Sequence, residues 1–300
     1  MGGPQNFYMR TIELTAPAKV NLFLKVLGKR KDSYHNILTL FERIDLCDTI
    51  TITKARKGIT VTSDRPITGN SRDNIACKAA ALMLSHAKVR GGVRMRIRKR
   101  IPVAAGLGGG SSDAAAVLIG LNKLYDLKIN RDTLMRLGAK LGADVPFFLL
   151  DTPFAIGRSR GDRLTKASIR LRPWHLLVYP GPFKASTSQV YAAFDRADFA
   201  LTTHKGGAKI TLPKHWNGLD SLLHNDLGCV VAKTRPVIGK VIQCLVASLA
   251  KKAIVSGSGP SIFCLYRTRK EALAARKKLL RSVPAGKRKL WQVFIVGTRV

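Results

Sequence analysis

Acidic residues are scarce in this 300-residue chain: 18 Asp and Glu stand against 52 Lys and Arg, a formal net charge of +34. A surplus of that size is the electrostatic footprint of a polyanionic partner, either nucleic acid or phosphorylated small molecules. Recognised nucleic-acid modules are nevertheless missing, with no zinc-finger spacing, no aromatic-interleaved run and no helix-turn-helix pattern. Long hydrophobic runs are missing too. The longest candidate, residues 241–250, falls far short of the roughly 18 apolar residues of a membrane span. The opening MGGPQNFYMR has no charged segment followed by an apolar stretch, and Asn6 stands where a myristoylation signal needs Ser or Thr. A cytoplasmic protein without a membrane partner is expected, with Met9 a candidate start because patterned sequence begins at Thr11. Cysteine is sparse: Cys47, Cys77, Cys229, Cys244 and Cys264 are odd in number, scattered, and lack a C-x-x-C pair or histidines at zinc spacing. They read as buried reduced thiols. Internal repeats and low-complexity segments are absent.

What remains is globular, with 46% hydrophobic and 23% charged residues, and its length suits one large or two ordinary domains at about 150 residues each. Basic residues gather at 28–31, 94–100 and 267–289. In RMRIRKR, Arg94, Arg96, Arg98 and Arg100 alternate with Met95 and Ile97, which describes one solvated strand face. Such surfaces predict nonspecific adhesion to polyanions at low salt rather than a dedicated nucleic-acid site. Strands are expected at 11–16, 20–27, 38–45, 49–54 and 59–63, then a helix over 74–85. After the basic strand come two more helices, the second over 132–141 with Leu134, Leu137 and Leu141 on one face and Gly142 as its stop. Residues 157–162 read as a loop. From Trp174 a second set of elements begins: a strand, helices from Gln189 and Arg235, strands at 253–256 and 262–266, a basic helix, and a last strand at 292–296. The fold class is α+β, with domains at 1–165 and 166–300.

The most informative stretch is IPVAAGLGGGSSDAAA at 101–116. Glycine reaches positive φ freely and lets backbone N–H groups approach a ligand. Ser111 or Ser112 can cap the helix that follows, on which Ala114, Leu118, Leu121 and Tyr125 recur at helical spacing. A glycine loop feeding a helix N-terminus suits phosphate; a plain capping turn or linker is the alternative. No lysine follows as a Walker A loop requires, and Ser111 stands where a dinucleotide fingerprint needs glycine.

Three separated elements, PAKVNLFL at 17–24, the glycine loop at 102–112 and SGSGPSIF at 256–263, resemble the three motifs of the GHMP kinases. The ordered segments TLFERIDLCDTI, RDNIACKAA, LGADVPFFL, YPGPFKASTSQVY and HNDL extend the resemblance over nearly the whole chain. They narrow it to the branch acting on a cytidine diphosphate sugar alcohol in non-mevalonate isoprenoid synthesis. The resemblance implies two domains, an N-terminal one like a domain of ribosomal proteins and a ferredoxin-like C-terminal one. It implies a catalytic pair, Lys19 and Asp144. It assigns ATP to Pro102, Val103, Ala104, Ala105, Gly106, Leu107, Gly108, Gly109, Gly110, Ser111 and Ser112, with Asn74 on the adenine side. Read from the residues alone, Asp144 is equally an N-cap for a helix starting Val145-Pro146, and Lys19 an exposed strand lysine.

For the acceptor, the resemblance implies stacking of cytosine between Tyr34 and Tyr191, with His35 and Asn21 as polar contacts. Ser33 stands where the family has glycine. The turn holding Gly257 and Gly259 either closes over phosphates or is a tight hairpin between Val255 and Ile262. No carboxylate cluster marks a metal site, so Mg²⁺ is expected to arrive with ATP. Two rivals are another GHMP kinase of homoserine or mevalonate type, whose acceptors offer no base to stack, and a basic RNA-associated protein.

Overall fold

The computed structural model describes residues 10–65, 73–181, 186–196, 209–248 and 250–300; the expected start at Met9 lies outside them. The chain divides into two compact units that interleave along the sequence, one of residues 1–16, 47–100 and 110–150, the other of 17–46, 101–109 and 151–300. Two long strands, β1 (Thr11–Lys29) and β2 (His35–Ala55), each contribute to both. Sequence patterning splits each into two. The splits fall at Pro17, whose fixed φ fits an extended chain even though it donates no hydrogen bond, and at Cys47 and Asp48, where both faces of β2 become buried.

In the first unit the end of β2 pairs antiparallel with β4 (Gly92–Arg98), from Thr49 opposite Arg98 to Ala55 opposite Gly92. The short β3 (Ile59–Ser63) lies parallel to β4, and the crossover a parallel pair needs carries α1 (Ile75–His86). On β4 the expected alternation holds: Arg94, Arg96 and Arg98 are exposed while Val93, Met95 and Ile97 are buried. Three helices follow, α2 (Gly109–Leu124), α3 (Arg131–Leu141) and α4 (Val145–Leu149). Ala114, Leu118 and Leu121 are buried as expected, and the Tyr125 hydroxyl donates to the Gly92 carbonyl at 2.9 Å.

In the second unit β5 (Phe154–Arg158) pairs antiparallel with the start of β2 and with β6 (Arg163–Lys166). The expected loop at 157–162 is thus the tip of a hairpin whose strands, five and four residues long, are too short to show a period. The two-residue β8 (His224–Asn225) pairs parallel with β1, and a separate antiparallel sheet has the order β11 (Gln292–Gly297), β7 (Trp174–Tyr179), β10 (Ile262–Tyr266), β9 (Ala253–Val255). Helices Pro236–Ala247 and Arg269–Ser282 bury Ile238, Val241, Leu245, Ala272, Ala275 and Leu279 in one core with Leu176, Val178, Ile262 and Cys264. The basic residues of the second helix, Arg276, Lys277, Lys278 and Arg281, stay exposed. All five cysteines are free, but only Cys47 and Cys264 are buried; Cys77 and Cys244 are half-buried and Cys229 is exposed. The expectation of five buried thiols fails at Cys229 because it lies off the face through which helix Asp226–Thr234 buries Leu227, Val230 and Val231. Among the described residues, no helix is long and apolar enough to cross a membrane.

Candidate active site

Both glycine segments meet within the second unit. Ala104, Gly106 and Gly108 have φ of 54°, 76° and 69°, and Gly257 and Gly259 have 55° and 77°, the region where a side chain is strained. Residues 256–261 join β9 to β10, with Val255 opposite Ile262, so the hairpin reading holds. The turn also packs on the first loop. Ser256 Oγ donates to the Gly106 carbonyl at 3.0 Å, and the Ser261 amide donates to the Ala105 carbonyl at 3.1 Å. A Cβ on Gly106 would lie 2.3 Å from the Ser256 carbonyl oxygen, so only glycine permits this approach. Asn225, to which sequence gave no role, holds the turn: its Nδ2 donates to the Val255 and Gly257 carbonyls at 2.7 and 2.8 Å, and its Oδ1 accepts from the Gly228 amide.

Lys19 on β1 is only 4% exposed, which removes the reading of an exposed strand lysine. Its amide donates to the Leu107 carbonyl at 3.0 Å, tying β1 to the glycine loop. Its Nζ donates to Asn21 Oδ1 at 2.7 Å; Asn21 Nδ2 donates to Thr39 Oγ1 at 2.8 Å, and Thr39 donates to the Phe23 carbonyl at 2.7 Å. A Cβ on Gly257 would stand 3.3 Å from Nζ, so the ammonium faces the second glycine turn. A cation held in a desolvated place between two backbone turns can stabilise charge on a transferring phosphoryl group. Thr39 is the residue sequence reasoning missed here, since nothing local marks a mid-strand threonine as the end of a relay.

His35 is buried, and its Nε2 lies 2.7 Å from Asp195 Oδ1 on α5 (Thr187–Arg196). Its ring stacks on Tyr191 with centroids 4.6 Å apart and planes at 16°. Asp195 also accepts from Lys29 at 2.9 Å. Burial opposes its charge, but Lys29 and His35 outweigh burial and hold its carboxyl below the usual range. Tyr34 is 55% exposed and carries the Arg160 guanidinium 5.1 Å from its ring centroid. The structure therefore brings Tyr191 to His35 and Arg160 to Tyr34. Ser33 adopts φ 66°, the left-handed conformation in which the family's glycine would be free of strain.

The remaining expected residues lie in the first unit. Asp144 occupies the N-cap position of α4 with φ −84° and ψ −15°, yet its side chain makes no capping hydrogen bond. Pro146 supplies the first-turn proline instead. Asn74 caps α1, its Oδ1 accepting from the Ala76 amide at 2.8 Å. Helix α2 starts at Gly109, so Ser111 and Ser112 sit inside its first turn rather than capping it, because the glycines themselves adopt helical geometry. The amides of Gly109, Gly110 and Ser111 then have no partner within the helix. Ser112 is fully buried, and its Oγ has no hydrogen-bond partner among the described residues. Next to it, Asp113 Oδ2 and Asp48 Oδ2 both accept from buried Lys99. Among the described residues, no three His, Cys, Asp or Glu side chains gather where they could hold a metal ion.

The chain matches the GHMP kinases N terminal domain over residues 74–152 and the GHMP kinases C terminal over residues 212–285. It is 41% identical over 275 residues to a 4-diphosphocytidyl-2-C-methyl-D-erythritol kinase of Geobacter sp. (strain M21), covering 90% of this chain and 95% of that one. The chain belongs to the GHMP kinases. Within that family its relatives of the same name include one from Syntrophus aciditrophicus (strain SB), 38% identical over 95% of this chain and 98% of that protein. The crystal structure of a 4-(cytidine 5'-diphospho)-2C-methyl-D-erythritol kinase superposes with a TM-score of 0.77 at 32% identity, covering 96% of this chain and all of that one. The mevalonate kinase of Methanococcus jannaschii, with a TM-score of 0.70 but 15% identity over 98% of this chain and 100% of that one, shares the fold alone. As a GHMP kinase the protein is a small-molecule phosphotransferase with the two-domain α+β architecture of that family.

Proposed function

We propose that this protein transfers the γ-phosphoryl group of ATP to the 2-hydroxyl of 4-diphosphocytidyl-2-C-methyl-D-erythritol, in the non-mevalonate route to isoprenoid precursors. The observation that carries the reading is buried Lys19, its Nζ facing the Gly257 turn while its amide anchors the Gly106 loop. The substrate oxygen attacks the γ-phosphorus, the bond to the β-bridging oxygen breaks, and ADP leaves with the electron pair. The family resemblance gives the hydroxyl proton to Asp144, whose carboxylate is not used for capping. Lys19 offsets the phosphoryl charge. Backbone amides of residues 103–112, in the loop that Pro102 opens, cradle the phosphates, and Asn74 acts from the adenine side through its helix. Mg²⁺ comes with ATP, held by phosphate oxygens and water.

His35, Tyr191 and Tyr34 form the cytosine side, with Asn21 orienting Lys19. Arg160, ion-paired with Asp162 at 2.6 Å, packs over the Tyr34 ring and fixes its direction. We take the domains as residues 1–165 and 166–300, a reading supported by family matches that end at residue 152 and resume at residue 212, and the protein works in the cytoplasm. A coupled ADP-release assay with the cytidine substrate, homoserine and mevalonate as acceptors tests this. Turnover is expected with the first only, and Asp144→Asn is expected to lose roughly 10²- to 10⁴-fold in kcat. Turnover of homoserine or mevalonate overturns the acceptor; a near-normal Asp144→Asn overturns the base.

A further inference from the structure

A cavity of about 480 Å³ lies within the second unit, lined by Arg30, Asn36, Arg158, Ser159, Arg163, Leu164 and Thr165. Strand register separates its residues on β2, β5 and β6 from His35 and Thr39, while Arg30 adjoins Tyr34, its amide donating to the Tyr34 carbonyl at 2.7 Å. Thr39 pairs with Gly157 and Gly157 with Leu164, while Arg158 pairs with Arg163 and Ile156 with Thr165. With period-two alternation, Asn36, Arg158, Arg163 and Thr165 share one face, and His35 and Thr39 lie on the other. The Ile37 amide donating to the Ser159 carbonyl at 2.7 Å carries the same register to the hairpin tip.

The charge in this cavity is not balanced. Arg158 and Arg163 are direct cross-strand partners, an arrangement of like charges that destabilises a hairpin. Neither guanidinium has a hydrogen bond or ion pair among the described residues. Arg30 is held in place: Nε and Nη2 donate to Asp32, and Nη1 donates to Asn36 Oδ1 at 3.2 Å and Ser159 Oγ at 2.9 Å. With Arg160, four guanidinium groups meet two carboxylates, Asp32 paired with Arg30 and Asp162 paired with Arg160, leaving the two positive charges of Arg158 and Arg163 for a ligand. Planar guanidinium forks match phosphate oxygens in pairs, and the Ser159 and Thr165 hydroxyls add donors. We propose that this cavity is a second anion site, on the opposite face of β2 from His35, which takes a small phosphate monoester or diphosphate.

The test is calorimetric titration of the whole protein with inorganic phosphate and with inorganic pyrophosphate, in saturating non-hydrolysable ATP analogue and cytidine substrate so that the glycine loops and the acceptor side are occupied. One site is expected to remain, and the tighter of the two probes tells monoester from diphosphate. Arg158→Ser with Arg163→Ser should weaken it about tenfold or more, since both unpaired guanidinium groups and their charge-assisted hydrogen bonds to the anion are removed, while turnover without added anion stays at wild type. Arg96→Ser with Arg98→Ser removes the same charge from exposed β4 and should change it little. No binding with the analogue present, unchanged binding in the 158/163 variant, or equal weakening in both variants would each overturn the proposal. Circular dichroism confirms that both variants are folded.

Discussion

Lys99 sits 5% exposed between the carboxylates of Asp48 and Asp113, so one buried cation serves two buried anions. Burial alone would push the lysine down, but the two aspartates outweigh it and raise it above its ordinary value. Asp113 bears the imbalance. Its burial, with the Asp48 charge adding to it against the pull of Lys99, pushes its carboxyl up from 3.8 to about 7. A carboxyl raised in the folded state binds more protons folded than unfolded across that window. Stability from this group is therefore complete below about pH 4 and is lost as pH rises through 7, with a slope of at most about 1.4 kcal/mol per pH unit. Denaturant unfolding at steps from pH 4 to 8 checks it. The wild-type free energy should fall relative to Asp113→Asn across this range, and parallel profiles for the two proteins would mean that Asp113 does not titrate there.

Between residues and the whole lie the two glycine turns, which act as one element although 150 residues separate Ser256 from Gly106. Gly106→Ala puts a Cβ against the Ser256 and Gly259 carbonyl oxygens and forces a side chain into φ 76°, a strain of order 1–3 kcal/mol. The expected result is a folded protein whose Tm no longer rises with added ATP as the wild type's does. Gly286→Ala, with nothing near its Cβ, should keep the full ATP-dependent rise. Wild-type nucleotide affinity in folded Gly106→Ala would show the approach of the turns to be structural only. This element was half legible in the sequence. Glycine at positive φ is a local constraint, so both turns and the helix after the first could be read from residue type. The contacts that join them could not, because Asn225, Thr39 and Asp195 act through partners far away in sequence. The first-turn position of Ser111 and Ser112 was misread for a local reason: serine is a good cap, but Gly109 had already begun the helix. Tyr191 was legible as an aromatic of the acceptor side, whereas its stacking on His35 was not.

At the scale of the molecule, composition announced the charge and chain order announced the family, but not the interleaving of the two compact units. Patterning works along the chain and carries no information on which distant segments share a core. The net charge of +34 also has a consequence that no single contact expresses. Self-repulsion on this scale disfavours the compact state, and added salt screens it, with a Debye length falling from about 10 Å at 0.1 M to about 3 Å at 1 M. Tm is therefore expected to rise as KCl increases from about 0.05 to 0.5 M. Over the same series, retention of RNA should collapse. A surface contacting 6–10 phosphates loses about 10³- to 10⁵-fold in affinity between 50 and 200 mM salt. Filter binding of a mixed-sequence RNA, run beside turnover at saturating substrates, separates the two behaviours. Turnover should change little, since Lys19 and the second glycine turn are buried from the screening ions. RNA binding that persists at 0.5 M salt (about a 4–5 Å Debye length) with fixed stoichiometry would instead make the basic surface a nucleic-acid site in its own right.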